Sequence, residues 1–153
     1  PKAKGNWKKI KMMKGFPTTY KGEIYYAPVI YITETGPEKI ANAQKDPRVK
    51  TKKGLNEELL GSIILTGCLL IKANTLLNES DALDRLEAFD SGDMDLYDSF
   101  ESKGVFPEDE NEWYPLPEDI QSPLLTLGDN KRISMAFKAM NRLQEEELSD
   151  FFG

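Results

Sequence analysis

The chain has 153 residues, 39% hydrophobic and 30% charged, with no histidine and one cysteine, a size that suits one domain built on one core. The missing histidines and the single thiol remove the usual general base, soft-metal ligands and disulfides, so most enzyme classes fall away. Charge is polarised along the chain: residues 1–53 carry thirteen Lys or Arg against four acids, net +9, and residues 54–153 carry seven against twenty-two, net −15.

The first stretch, PKAKGNWKKIKMMKG, interleaves lysines with Trp7, Ile10, Met12 and Met13. It reads as a basic arm over residues 1–15, with Lys8, Lys9, Lys11 and Lys14 on phosphates and Trp7 stacked on a base. The same composition also fits an anionic membrane or protein surface, or a solvated tail. No apolar segment of the signal-peptide kind follows, so the expected location is cytoplasmic or inside a particle, not secreted.

Residues 20–33, YKGEIYYAPVIYIT, are the strongest β stretch and predict two strands of a small antiparallel sheet spanning about 20–34. Pro28 inside it predicts an edge position or a bulge. Phe16, Tyr25, Tyr26 and Tyr31 form either a base-stacking platform or cross-strand packing. Thr35-Gly36-Pro37 opens a short helix over 38–44 that Asp46-Pro47 stops. Arg48, Lys50, Lys52 and Lys53 form a second basic cluster, which beside the first makes one positive stripe for nucleic acid.

Residues 56–77, NEELLGSIILTGCLLIKANTLL, include thirteen uncharged positions between Glu58 and Lys72. Asn56 as N-cap, Glu57 and Glu58 in the first turn and apolar residues nearly all round predict a buried central helix. The uncharged run is too short to cross a bilayer. Splitting it at Thr66-Gly67 into two buried strands is the alternative that periodicity leaves open. Cys68 lies inside it and reads as a buried, inert thiol.

Ser80 with Asp84 predicts a capped helix over 81–89. Residues 90–123 read as a long acidic loop with anchors at Tyr97, Phe100, Phe106, Trp113 and Tyr114, a length usually reserved for function or partner binding. Its opposite charge suggests that it folds over the basic face. Asp90, Asp93, Asp95 and Asp98 fail the spacing of a calcium loop, and no phosphate-cradling glycine loop or nucleophile elbow is present, so no metal or cofactor is expected. Ile133, Ala136, Phe137, Met140 and Leu143 share one face of a C-terminal amphipathic helix over about 130–148.

The chain closes on EEELSDFFG. Leu148 followed by the pair Phe151 and Phe152 resembles the terminal peptides with which many replication and phage transcription proteins bind a sliding clamp, with Glu145 where their usual glutamine stands. The acidic run is also similar in character to the tail tip of bacterial single-stranded-DNA-binding proteins, although Gly153 follows the last Phe. The resemblance covers eight residues and implies a replication or transcription partner held by Leu148, Phe151 and Phe152. Packing of these side chains back onto the domain or a second copy is the other reading.

The expected architecture is α+β: a basic arm, a single domain over 16–148 containing the acidic loop, and an aromatic tip at 149–153. The leading functional expectation is a non-enzymatic nucleic-acid-associated accessory protein, of a cell or a phage. The alternative is an assembly subunit of a virion or other complex, with basic and acidic segments of neighbouring copies in contact.

Overall fold

The computed structural model describes residues 6–105 and 112–142. The fold is α+β, organised on a four-stranded antiparallel sheet in which the strands lie in the order Lys8–Tyr20, Glu23–Ile32, Leu69–Lys72 and Glu112–Trp113.

Strand β1 (Lys8–Tyr20) and strand β2 (Glu23–Ile32) form the long hairpin at its centre. Lys21 and Gly22 join them with φ of 52° and 82°, the paired left-handed geometry of a tight turn that follows strand twist. The sheet therefore starts at Lys8 rather than near residue 20, and residues 8–15 are strand, not arm. In Lys9-Ile10-Lys11-Met12 charged and apolar side chains alternate, the period of a strand with two different faces. Ile10 and Met12 enter the main core, while Lys9 and Lys11 turn the other way.

Helix α1 (Pro37–Gln44) lies as the sequence predicts and is followed by a small hairpin, β3 (Lys50–Thr51) and β4 (Gly54–Leu55). The apolar run then divides. Helix α2 (Glu57–Thr66) is capped by the Asn56 side chain, which accepts the Leu59 N–H at 3.1 Å, and stops at Gly67. Strand β5 (Leu69–Lys72) follows and pairs with β2. The expected helix over 56–77 is thus half helix and half strand. Both halves are buried, so neither shows a polar face that would reveal its period.

Helix α3 (Glu79–Ser91) is capped by Asn78 rather than Ser80, through the Asp81 N–H at 2.9 Å. The acidic stretch is not one long loop: it holds α4 (Met94–Ser99), a 3-10 turn (Phe100–Ser102), β6 (Glu112–Trp113) and α5 (Pro117–Ile120). Tyr97 and Phe100 are its buried anchors. Helix α6 (Leu127–Asn141) starts from a Thr126 cap, earlier than expected, and Leu143 and the positions after it lie outside the described residues.

Helices cover the sheet on both faces. On one, Ile10, Met12, Ile30, Ile32, Leu69 and Ile71 pack against Ala43 of α1, Ile64 and Leu65 of α2, Ile120 of α5 and Ile133 and Phe137 of α6. On the other, α3 and α4 bury Ala82, Arg85, Ala88 and Tyr97. This double cover explains why β2 reads as an unbroken apolar run.

The β1–β2 ladder is interrupted once. Lys11 faces Val29 and Phe16 faces Ala27, so residues 12–15 of β1 bulge opposite Pro28 alone. Proline has no N–H to offer a ladder, and the bulge removes the demand for one. Side chains replace the lost partners. Asp129, fully buried at the start of α6, accepts the N–H groups of Met13 (2.6 Å), Lys14 (3.0 Å) and Gly15 (3.1 Å). The Met12 carbonyl accepts from buried Arg85 (Nε 3.1 Å, a terminal nitrogen 2.9 Å) and from the Tyr97 hydroxyl (2.7 Å). Each of these groups at the bulge thus finds a partner, as its desolvation demands.

Candidate nucleic-acid interface

The β3–β4 hairpin grows from the junction of α1 and α2. Fully buried Val49 anchors its base, and its carbonyl accepts the Asn56 N–H at 2.7 Å. The two-residue tip is Lys52-Lys53, closed by the Thr51 hydroxyl, which donates to the Gly54 carbonyl at 2.7 Å. Gly54 has φ of 121°, a conformation that glycine adopts without strain. Residues 50–55 are all exposed, and among the described residues Lys50, Lys52 and Lys53 form no ion pair. Arg48 differs. It donates to Asp46 from its backbone N–H (2.9 Å), Nε (3.1 Å) and a terminal nitrogen (2.9 Å), and lies 3.9 Å from Glu118. These bonds hold the Asp46 carboxyl below its ordinary range and raise Arg48, so the guanidinium is already matched by a local acid.

The residues expected in the N-terminal arm are distributed differently. Lys8 is exposed, and the Trp7 ring, half-buried, lies 6.3 Å from that of Tyr114. Lys9 Nζ is 2.9 Å from Glu101, and Lys11 Nζ meets both Asp98 and Glu101. The hydrogen bonds that Lys11 donates to Asp98 and Glu101 raise its pKa; burial pushes Glu101 up, but Lys11 and Lys9 outweigh it and hold its carboxyl below the usual range. Lys14 is 9% exposed, with its amine 4.6 Å from the centre of the Tyr26 ring, a cation–π contact. The acidic segment therefore does fold over part of the basic strand, through two side chains. Lys9 and Lys11 face α4 while the hairpin springs from the opposite face of the sheet, so the two basic clusters do not merge into one stripe.

The tyrosines do not make a platform. Phe16 and Tyr26 are buried, Tyr25 donates to Glu23 at 2.8 Å, and Lys72 sits over the Tyr31 ring at 5.4 Å. Of the clustered aspartates, Asp93 caps α4 through the Leu96 N–H and Asp98 meets Lys11, and no group of three or more potential metal-ligating side chains gathers among the described residues. Cys68 is fully buried, its thiol donating to the Ile64 carbonyl at 3.3 Å, and burial pushes the thiol up. An open cleft of about 260 Å³ between α1 and α2 is lined by Lys39, Asn42, Asp46 and Ile63, with Asp46 committed to Arg48. Among the described residues no helix is long and apolar enough to cross a membrane. Leu148, Phe151 and Phe152 lie outside the described residues. Comparison with family models, with curated proteins and with solved structures finds no match.

Proposed function

We propose that this chain is a non-enzymatic, nucleic-acid-associated accessory protein that grips phosphates with its β3–β4 hairpin and recruits a replication or transcription partner, such as a sliding clamp, through Leu148, Phe151 and Phe152. The observation that carries the reading is the hairpin itself: three lysines on a short, braced ribbon with no ion-pair partner among the described residues. Lysines of that kind release condensed counterions on meeting a phosphate chain. The tip bears no Arg, Asn, Gln or aromatic side chain, the types that read base edges or stack, so binding is indifferent to sequence. Lys8 supplies a further contact, whereas Lys9 and Lys11 are already matched by acids.

Fluorescence anisotropy of labelled single-stranded DNA tests this. The three hairpin contacts predict an affinity that falls with salt with a logarithmic slope of about −2, and Lys8 steepens it to about −3. The K50E/K52E/K53E variant loses that binding and K9M/K11M keeps it. No binding at low salt sinks the reading.

A second reading, the assembly subunit, is favoured by one specific observation: exposed acids, with no ion pair among the described residues, crowd the outside of α3 and α4, on the opposite face of the sheet from the hairpin.

A further inference from the structure

Helices α3 and α4 pack together and onto the sheet, with the Phe89 and Tyr97 rings 5.4 Å apart and Arg85 stacked 3.8 Å over Tyr97. Their outer sides are unpartnered. There Leu83, Met94 and Leu96 are 48%, 46% and 46% exposed. They share that surface with Asp84, Glu87, Asp90, Asp93 and Asp95, all exposed and none ion-paired among the described residues. By contrast Asp81 and Asp98, on the same two helices, are matched by Lys103 and Lys11. The free acids are therefore those that no lysine of the same copy reaches.

A surface that mixes apolar and acidic side chains fits a basic partner with an apolar residue of its own. The chain carries one. The hairpin presents Lys50, Lys52 and Lys53 together with Leu55, which is 49% exposed beside Lys50 in the ladder. We propose that the β3–β4 hairpin of one copy docks on the α3–α4 face of a second copy. This rests on the assembly reading above and names the two surfaces that meet. Because α1 and α2 hold the hairpin on one face of the sheet and α3 and α4 cover the other, a copy cannot satisfy both halves itself. The contact is heterologous, so it either closes into a ring or propagates as a chain. Opposite charges set its register and leave it sensitive to salt.

Sedimentation of the nuclease-treated full chain over a concentration series at low salt tests the contact. The wild type is expected to rise to about twofold the monomer mass or more, since each copy keeps one free surface of each kind. The K50E/K52E/K53E and D84K/E87K/D90K variants are each expected to remain monomeric. An equimolar mixture of the two regains association, because each supplies the charge the other now needs. All six positions are exposed, and circular dichroism verifies that both variants are folded. A wild type that stays monomeric overturns the proposal together with the assembly reading. Either variant associating like wild type overturns the docking and leaves the assembly reading standing. Association that salt does not weaken overturns the docking as well. The face variant leaves the hairpin lysines in place, so its loss of self-association is not a loss of the DNA-binding groups.

Discussion

Asp129 in α6 and Met13 in β1 are joined by a 2.6 Å hydrogen bond from a backbone N–H to a fully buried carboxylate. The same carboxylate takes the next two N–H groups, while Arg85 holds the Met12 carbonyl just before them. One bulge is thus gripped by a buried anion on one side and a buried cation on the other. Removing the anion leaves three buried backbone donors without partners. Asp129→Ala is expected to cost about 3 kcal/mol or more, since each buried donor left without a partner costs about 1–3 kcal/mol, read as a lowered urea midpoint. Asp129→Asn is expected to fall between the two, because its amide offers one acceptor but turns an NH2 group toward donors.

How far the fold was legible follows from the same residues. The Pro37 start of α1 and the Asn56 cap are local signals, and each lies where the sequence puts it, whereas the β stretch expected as two strands is one, β2, running through Pro28. Pro28 correctly predicts a bulge, but the bulge is in the partner strand, and no local pattern tells which neighbour yields. Strand β1 was hidden because its lysines suggest a solvated arm. Their acidic partners, Asp98 and Glu101, lie about ninety residues away. Asp129 offers a familiar helix-start signal, and only the fold shows its carboxylate turned inward. The free lysines of the hairpin were visible in sequence, whereas the pairing of Arg48 with Asp46 needed geometry to separate it from them.

Gly104 tests a close approach of backbone to backbone. A Cβ at that position would overlap the carbonyl of Asn74, which belongs to the turn after β5 and has no flexible end to move aside. Gly104→Ala is expected to destabilise by about 1–3 kcal/mol, the range for forced overpacking. Gly36→Ala, where a Cβ meets nothing within 4 Å, is the steric control and is expected to cost only the cap difference between Gly and Ala at the start of α1, about 1 kcal/mol or less.

Cys68 supplies a probe of global opening. It is fully buried between α2 and β5, donates to the Ile64 carbonyl, and is pushed up by burial, so little thiolate exists and none is accessible. A thiol-reactive chromogen at mildly alkaline pH is expected to leave the native chain unlabelled and to react fully in denaturant. Labelling of the native chain at the rate of a free thiol would show that the α2–β5 junction opens far more readily than its packing implies.

Asp119 gives the stability an opposite pH dependence from that of Glu101. Its carboxylate, 8% exposed on α5, accepts the Leu116 N–H at 2.9 Å and the Thr18 hydroxyl at 3.0 Å, yet burial outweighs these bonds and raises its folded pKa. Between the unfolded value, about 3.9, and the higher folded value, the native state holds more protons than the unfolded state. Stability from this group is therefore full below the unfolded value and is lost as pH rises through the folded one. Glu101, held low by Lys11 and Lys9, works the other way: its contribution is present above the unfolded glutamate value and is lost as pH falls through its own depressed value. The two effects overlap in the wild type, so the difference between wild type and Asp119→Asn isolates the first. The amide keeps an acceptor for Leu116 without a charge to desolvate. Relative to wild type the variant is expected to gain stability as pH rises from acid toward neutrality, with a slope no steeper than about 1.4 kcal/mol per pH unit. Urea titrations of both proteins across that range read it directly, and a difference that does not change with pH would mean that Asp119 ionises in the fold as it does in the open chain.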